Sequence, residues 1–154
     1  MTKISVGQMV RDFAIPTTGG DFRLSEQRGR NVVIYFYPRD NTPGCTLEGS
    51  DFRDLAPAFG RARTTILGVS TDSLESHHRF RAKMGFPFAL GSDEDHAIAS
   101  RFGAWKQKNM YGRRMMGVER STFLIDAAGV LRQEWRKVRV AGHAALVLAA
   151  VRAL

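Results

Sequence analysis

The residue of this sequence best suited to covalent chemistry is its single cysteine, Cys45. It follows Pro43 and Gly44, and the apolar residues after it recur at helical spacing, which predicts a helix over residues 45–59. Unpaired N–H groups and the helix dipole favour an anion at a helix start, so a thiol placed there loses its proton more readily. Gly44 also lets consecutive N–H groups converge on one anion. The pattern indicates a nucleophilic thiolate, and a small buried apolar residue is the alternative.

The cysteine count excludes several classes of protein. One thiol cannot close an intrachain disulfide, form a Cys-x-x-Cys redox pair or build a thiolate-rich zinc site.

Residues 1–7 lack the apolar core of a signal peptide, and the longest apolar run, residues 144–151, is too short to span a bilayer. A cytoplasmic protein that does not bind membranes is therefore expected.

The elements that must position Cys45 alternate along the chain. Residues 31–37 are almost continuously apolar, which predicts a central strand buried on both faces and stopped by Pro38. A second buried strand is expected over 64–69, a helix after it that ends near Gly85, and a short strand over 88–90.

The remaining elements complete an α/β pattern within a single predicted domain, residues 1–154. They are an N-terminal hairpin before residue 25, helices over 92–102 and 142–152, and a hairpin of strands 121–125 and 130–136. This order predicts a central sheet with helices on both faces. It places residues 39–45 at the carboxyl end of a strand, where open α/β sheets usually keep their sites.

The stretch that contains Cys45 also resembles a known family. Residues 38–48 (PRDNTPGCTLE) resemble the active-site loop of peroxiredoxins, in the form typical of the bacterioferritin comigratory protein, or peroxiredoxin Q, subfamily. Further matching segments follow in family order: FYP at 36–38, LGVSTD at 67–72, SDE at 92–94 and ERSTFLID at 119–126. The resemblance implies a thioredoxin-like fold, a central mixed β-sheet flanked by helices, with the peroxiredoxin N-terminal extension.

The resemblance implies roles for several of residues 38–48 and for Arg120. Cys45 matches the peroxidatic nucleophile, Thr42 the threonine whose hydroxyl contacts peroxide, and Arg120 the arginine that lies over the thiolate. Pro38 is implied to shield the sulfur from water, and Glu48 to orient an active-site arginine. The backbone N–H groups of Gly44 and Cys45 are implied to complete the oxyanion contacts. Without the resemblance, Thr42 is a loop or cap residue, Pro38 ends a strand, and Glu48 and Arg120 are ordinary charged residues.

The sequence departs from the subfamily at the resolving cysteine. Its two common positions hold Ser50 and Arg81, so no internal disulfide can form; the serine is either natural or an engineered replacement of cysteine. We therefore expect a one-cysteine peroxidase that reduces hydrogen peroxide and organic hydroperoxides for antioxidant defence. An external thiol, thioredoxin or glutaredoxin with glutathione, would then reduce it. The subfamily implies a monomer or weak homodimer and no cofactor.

Two competing hypotheses come from the same residues. Residues 101–154 hold 11 basic and 3 acidic residues and so carry the whole net charge of +8, which favours a nucleic-acid or anionic-surface binder. Its best feature is a group of cations around Trp135: Arg132, Arg136, Lys137 and Arg139. No nucleic-acid motif frames them, and their alternation also fits the wet face of an edge strand, so no nucleic-acid partner is expected. A thioredoxin-fold binding module with an inert cysteine is the other alternative.

Other candidate ligands have simpler explanations. Adjacent His77 and His78 point in different directions on a helix, and the acidic residues 93–95 suit a helix start, so no metal site is predicted. Residues 108–117 are predicted to form a mobile basic loop near the site. Its methionines, Met110, Met115 and Met116, could receive an apolar peroxide or a partner.

Overall fold

The computed structural model describes residues 4–154, apart from the side chain of Met110. Residues 1–3, part of the segment in which no signal peptide is expected, lie outside it. The strands are β1 (Ala14–Thr17), β2 (Gly20–Arg23), β3 (Asn31–Phe36), β4 (Thr64–Ser70), β5 (Ala89–Ser92), β6 (Trp105–Met110), β7 (Arg113–Val118), β8 (Ser121–Ile125) and β9 (Leu131–Trp135). The α-helices are α1 (Pro43–Arg61), α2 (Leu74–Met84), α3 (Ala97–Arg101) and α4 (His143–Arg152), and a short 3-10 helix covers Leu24–Gln27.

Seven of these strands form one mixed sheet in the order β2-β1-β5-β4-β3-β8-β9. The three strands joined by helical crossovers, β3, β4 and β5, are parallel, while β8 and β1 run antiparallel to their neighbours β3 and β5. The predicted mixed sheet flanked by helices is confirmed, and so is the N-terminal hairpin, which is β1–β2. None of the helices in residues 4–154 combines the length and the apolar character needed to cross a bilayer.

The core is divided by the sheet into two apolar layers. Successive residues of a strand point to opposite faces, and in β3 all five residues from Val32 to Phe36 are buried. Val32, Ile34 and Phe36 pack with the N-terminal hairpin and α3, while Val33 and Tyr35 pack with α1, α2 and α4. The continuous apolar run therefore forms a strand buried on both faces, as predicted, because helices cover both faces of β3.

Most helix ends follow the predicted signals. Helix α1 begins at Pro43, two residues before the predicted start, since proline fits the first helical position, where no N–H is needed. Ser73 caps α2 by accepting a hydrogen bond from the Ser76 N–H, and α2 ends at Gly85 with a left-handed φ of 65°.

The helix predicted over 92–102 is wrong at its start. Ser92 is the last residue of β5, and only Ala97–Arg101 is helical. Asp93 causes the misreading, because its carboxylate accepts hydrogen bonds from the N–H groups of Ile98 and Ala99 at 3.0 and 2.8 Å. Asp93 does cap α3, but its carboxylate reaches the helix from across an intervening turn.

The loop predicted over 108–117 is also wrong, since β6 and β7 pair along their full lengths as a two-stranded hairpin. Tyr111 and Gly112 both have positive φ, 52° and 77°, which is the signature of a type I′ two-residue turn. The sequence concealed it because β6 is mostly polar and tyrosine replaces the usual asparagine or aspartate before the glycine.

The basic residues around Trp135 lie on an edge strand, since β9 ends the sheet. Arg132 pairs with Asp126 at 3.2 Å. Arg136 donates to the carbonyls of Phe102 and Gly103 at 2.8 and 3.0 Å, just after α3. Arg132 and Arg136 therefore bond within the fold. This is compatible with the prediction that these charged residues lie on an edge strand.

Two glycines of α1 provide a matched test of how closely this helix packs. A Cβ at Gly49 would lie 2.4 Å from the Phe86 ring, whereas a Cβ at Gly60 would meet nothing within 4 Å. We expect Gly49→Ala to destabilise the protein by about 1–3 kcal/mol through overpacking. Gly60→Ala should instead stabilise it by up to about 1 kcal/mol, because alanine favours helix. Urea unfolding of both variants measures the difference, and equal free energies of unfolding would contradict the packing described.

Candidate active site

The register of the sheet brings two distant segments together at the carboxyl end of β3. Six residues separate the end of β3 from the start of α1. Strand β8 runs antiparallel to β3, so its first residue, Ser121, pairs with the last residue of β3, Phe36. Arg120 directly precedes Ser121 and therefore lies beside the start of α1. Its backbone is held there by the Val138 N–H, which donates to the Arg120 carbonyl at 3.0 Å.

Cys45 lies in the first turn of α1, as predicted, and its side chain is 2% exposed. The Thr46 N–H already bonds to the Thr42 carbonyl at 2.8 Å, and Pro43 has no N–H. The N–H groups of Gly44 and Cys45 precede the first helical hydrogen bond and have no acceptor within the helix. They are therefore available to an anion at this end of α1, where the dipole also favours negative charge.

Arg120 bridges the nucleophile and a buried acid. Its Nη2 lies 3.4 Å from Cys45 Sγ and its Nη1 lies 2.5 Å from Glu48 Oε1. Cys45 and Glu48 are three residues apart on α1, so they share one face of the helix and meet the same guanidinium. Arg120 thus contacts both the sulfur of Cys45 and the carboxylate of Glu48.

Burial sets the electrostatics of this pair. Glu48 is 1% exposed, and burial raises its pKa to about 7 although Arg120 acts to lower it. Its second oxygen, Oε2, finds no hydrogen-bond donor among the described residues. Burial also disfavours the charged form of Arg120, but the negative charges of Glu48 and Cys45 outweigh it and raise the pKa of Arg120. The guanidinium thus keeps its positive charge above Cys45.

Gly44 is needed for this close approach. A Cβ at this position would lie 3.1 Å from Arg120 Nη2. Any side chain here would press on the guanidinium that contacts the sulfur. Glycine therefore allows the arginine to lie against the start of α1.

Thr42 and Pro38 lie in the loop that leads into α1. Thr42 is the N-cap residue of α1, but its hydroxyl donates to the Arg39 carbonyl at 2.9 Å and does not bond to a helical N–H group. Its proton is occupied, which leaves the hydroxyl oxygen able to accept a hydrogen bond from a ligand. Pro38 is half-buried directly after Tyr37, where it follows the end of β3.

The two positions at which the subfamily carries a resolving cysteine make ordinary structural contacts. Ser50 Oγ donates to the Thr46 carbonyl one turn earlier in α1, at 2.8 Å. Arg81 Nε donates to the Phe88 carbonyl at 3.1 Å and links α2 to the segment before β5. Cys45 is a free thiol in this structure.

A buried polar cluster beneath the loop was missed by the sequence analysis. Asp40 accepts hydrogen bonds from Tyr37 Oη at 2.6 Å and Ser76 Oγ at 2.8 Å, and His77 Nδ1 lies 2.7 Å from it. These bonds, above all those from His77 and Tyr37, outweigh burial and lower the pKa of Asp40. The loop residue Asp40 is thereby fixed to α2. The available signal was an acid in the loop and a histidine on α2, which only the fold brings together.

The same cluster is a geometric candidate for a metal site, because ligand atoms of Asp40, Asp72 and His77 lie within 4.8 Å of one another. Their atoms are already engaged. Asp72 Oδ2 accepts from the Asp40 N–H and the Ser70 hydroxyl, and His77 Nε2 lies 2.9 Å from the Gly91 carbonyl. The arrangement is a hydrogen-bond network that leaves these ligand atoms occupied.

A second histidine, His143 at the start of α4, contacts β8 two residues after Arg120. It is 4% exposed, and its Nε2 lies 2.8 Å from the Thr122 hydroxyl. Burial, with a smaller effect of the Arg120 charge, lowers its pKa to about 4. His143 is therefore neutral at neutral pH and adds no charge to the site.

An apolar cavity lies elsewhere, away from the thiol. It has a volume of about 480 Å³ and is lined by Pro57 of α1, Ile66 of β4 and Phe88 before β5. These residues are at the amino ends of β4 and β5, at the opposite end of the sheet from Cys45. The cavity thus contributes nothing to the chemistry of the thiol.

Comparison with known proteins identifies the family of this chain. The AhpC/TSA family matches residues 6–134. Peroxiredoxin Bcp of Xanthomonas campestris is 52% identical over 143 residues, which cover 92% of this chain and 89% of that protein. Peroxiredoxin Bcp of Bacillus subtilis is 46% identical over 146 residues, covering 94% of this chain and 93% of that one.

Solved structures give the same relationship. A serine-for-cysteine variant of PrxQ from Xylella fastidiosa superposes with a TM-score of 0.93 at 39% identity, covering 99% of this chain and 98% of that one. The bacterioferritin comigratory protein of X. campestris, studied for alkyl peroxide reduction, superposes with a TM-score of 0.88 at 51% identity, covering 92% and 90%. The chain belongs to the AhpC/TSA family, among the peroxiredoxins of the bacterioferritin comigratory protein type, which are peroxidases and have the thioredoxin-like fold.

His143 should make the stability of the protein depend on pH. The unfolded chain binds a proton at this residue below its ordinary pKa of 6.5, whereas the folded protein does so only near 4. The contribution is therefore fully present above pH 6.5 and falls by up to about 3 kcal/mol as pH drops toward 4. We expect His143→Gln to lose less stability than the parent over this range in urea unfolding. Parallel curves for the two proteins would contradict this.

Proposed function

We propose that Cys45 is the peroxidatic nucleophile of a thiol-dependent peroxidase that reduces hydrogen peroxide and organic hydroperoxides. The observation that carries the proposal is the 3.4 Å contact between Arg120 Nη2 and Cys45 Sγ at the start of α1. A guanidinium at this distance stabilises negative charge on sulfur, and the thiolate is the reactive form. The reported alkyl peroxide reduction of the X. campestris relative supports organic hydroperoxides among the substrates.

The first half-reaction is a displacement on oxygen. The Cys45 thiolate attacks the terminal oxygen of the hydroperoxide, so that an S–O bond forms and the O–O bond breaks. The leaving oxygen takes both electrons of that bond and one proton, and departs as water or an alcohol. Cys45 becomes a sulfenic acid.

The surrounding groups are suited to the charge that moves in this step. Arg120 and the free N–H groups of Gly44 and Cys45 donate hydrogen bonds toward oxygens on which negative charge builds. The Thr42 oxygen, whose own proton goes to Arg39, accepts a hydrogen bond from the peroxide O–H. Glu48 fixes the guanidinium through its other terminal nitrogen, Nη1, and Pro38 restricts water.

The second half-reaction needs a thiol from outside the chain, because Ser50 and Arg81 occupy the positions of the resolving cysteine. Thioredoxin, or glutathione with glutaredoxin, is proposed as the reductant. We also propose that residues 1–154 act as a single domain, as a monomer or weak homodimer, in the cytoplasm. The seven-stranded sheet supports one domain, because it includes both the first strand, β1, and the last, β9.

Substitution of the nucleophile tests the first half-reaction. We expect Cys45→Ser to abolish peroxide consumption driven by an added thiol, because serine cannot form the sulfenic acid. Ser50→Ala, the matched control five residues along α1, should keep it, since the Ser50 hydroxyl bonds only to the Thr46 carbonyl. Steady-state peroxide loss measures both. Equal turnover by Cys45→Ser and the parent protein would refute the proposal.

Arg120→Lys tests whether the bridging guanidinium is needed rather than charge alone. Lysine keeps the positive charge but cannot hold Glu48 and Cys45 with two nitrogens in fixed geometry. We expect oxidation of Cys45 by peroxide to slow by about 100-fold. The measurement is trapping of the sulfenic acid with dimedone, followed by mass spectrometry over time.

The control for that experiment is Arg139→Lys, an exposed arginine in the segment between β9 and α4. It should oxidise at the parental rate. An Arg120→Lys variant that also matched the parent would show that the bridging geometry does not contribute to the reaction.

A further inference from the structure

The β6–β7 hairpin carries a surface that the peroxidase chemistry leaves unused. Opposite residues of an antiparallel pair share a face, so Lys106, Lys108, Arg113 and Met115 lie on one face together with Gly117. We refer to these four side chains as the basic face. The hairpin holds no acidic residue. None of its cations forms an ion pair within the part of the chain that the structure describes.

The base of the hairpin is joined directly to the site. Strand β7 ends at Val118, two residues before Arg120, and the Glu119 N–H bonds to the Ala104 carbonyl at 2.7 Å, which ties the base of the hairpin to the site. The Lys108 side chain packs over Gly117, where a Cβ would lie 3.4 Å from its Cδ. Burial and the Arg120 charge lower the pKa of Lys108, while Glu119 and Cys45 act to raise it. The Lys108 side chain therefore places a cation near the base of the hairpin, beside the segment that carries Glu119 and Arg120.

The charge of the site changes between the two half-reactions. Before oxidation, a Cys45 thiolate offsets part of the positive charge of Arg120 and Lys108. Conversion to a neutral sulfenic acid removes that negative charge while both cations remain. The site therefore attracts anions most strongly at the stage at which the reductant must bind.

We propose that the basic face of the β6–β7 hairpin is the docking surface for a small thiol that carries carboxylates. This inference rests on the proposed function, since it concerns the reductant of the Cys45 sulfenic acid. A small molecule is favoured over a protein because Cys45 is only 2% exposed. Glutathione, with a net charge of about −1 at neutral pH, is the probe of this chemistry.

The step balances without another reactant. The bound thiolate attacks the Cys45 sulfur, an S–S bond forms and the S–O bond breaks. The departing hydroxide takes a proton and leaves as water. A second thiol molecule then attacks the mixed disulfide, releases Cys45 as a thiol and leaves as the oxidised dimer of the reductant.

The test compares thiols that differ in charge and little else. Protein oxidised with one equivalent of peroxide is mixed with glutathione or with its diethyl ester, whose net charge is about +1. Mass spectrometry follows loss of the sulfenic acid and appearance of the mixed disulfide. We expect glutathione to react about tenfold faster at low salt, with the preference shrinking in high salt.

Variants identify the surface. Lys106→Gln/Lys108→Gln should reduce the preference for glutathione over the ester by several-fold. The control Arg61→Gln should not, because Arg61 lies about 24 Å further along α1 from Cys45. Equal rates for the two thiols, an unchanged preference in the double variant, or efficient reduction only by a protein dithiol would each overturn the inference. Failure of peroxide to form any sulfenic acid would instead overturn the proposed peroxidase function.

Discussion

The structure of the site depends on one guanidinium, that of Arg120, held between an acid and a thiol of the same helix. Glu48 lies 2.5 Å from one nitrogen and Cys45 Sγ 3.4 Å from another. A buried ion pair contributes little net stability, because desolvation offsets much of the attraction. The Arg120–Glu48 pair instead fixes the position of the positive charge relative to the start of α1.

The rest of the fold satisfies this constraint. Strand β8 must run antiparallel to β3 so that its first residue and the helix start meet at one end of the sheet. Gly44 must lack a side chain so that the guanidinium can lie against the helix. Asp40 is bound to His77 on α2, which holds the loop before α1 on its other side. Three separate elements, α1, β8 and α2, thus position the site.

Sequence reasoning worked best where a residue's meaning is local. The apolar run over residues 31–37 and the Gly85 helix end follow from backbone sterics and neighbouring residues, and both were predicted correctly. It failed at the β6–β7 hairpin, where Tyr111 adopts a positive φ that glycine or asparagine usually takes. It also failed at Asp93, which caps α3 from outside the helix.

By itself, the sequence determined that one thiol stands where a helix begins after a buried strand, and that no second cysteine accompanies it. Those are properties of neighbouring residues and of composition. Residue types alone do not distinguish Arg120 among the 23 basic residues, although the family resemblance implied that it lies over the thiol. Only the tertiary structure shows the Arg120–Cys45 contact itself and the Asp40–His77 contact, which was not predicted. The reason is that such pairs are separated by 75 and 37 residues, and the sheet register that joins them is set by packing across the whole chain.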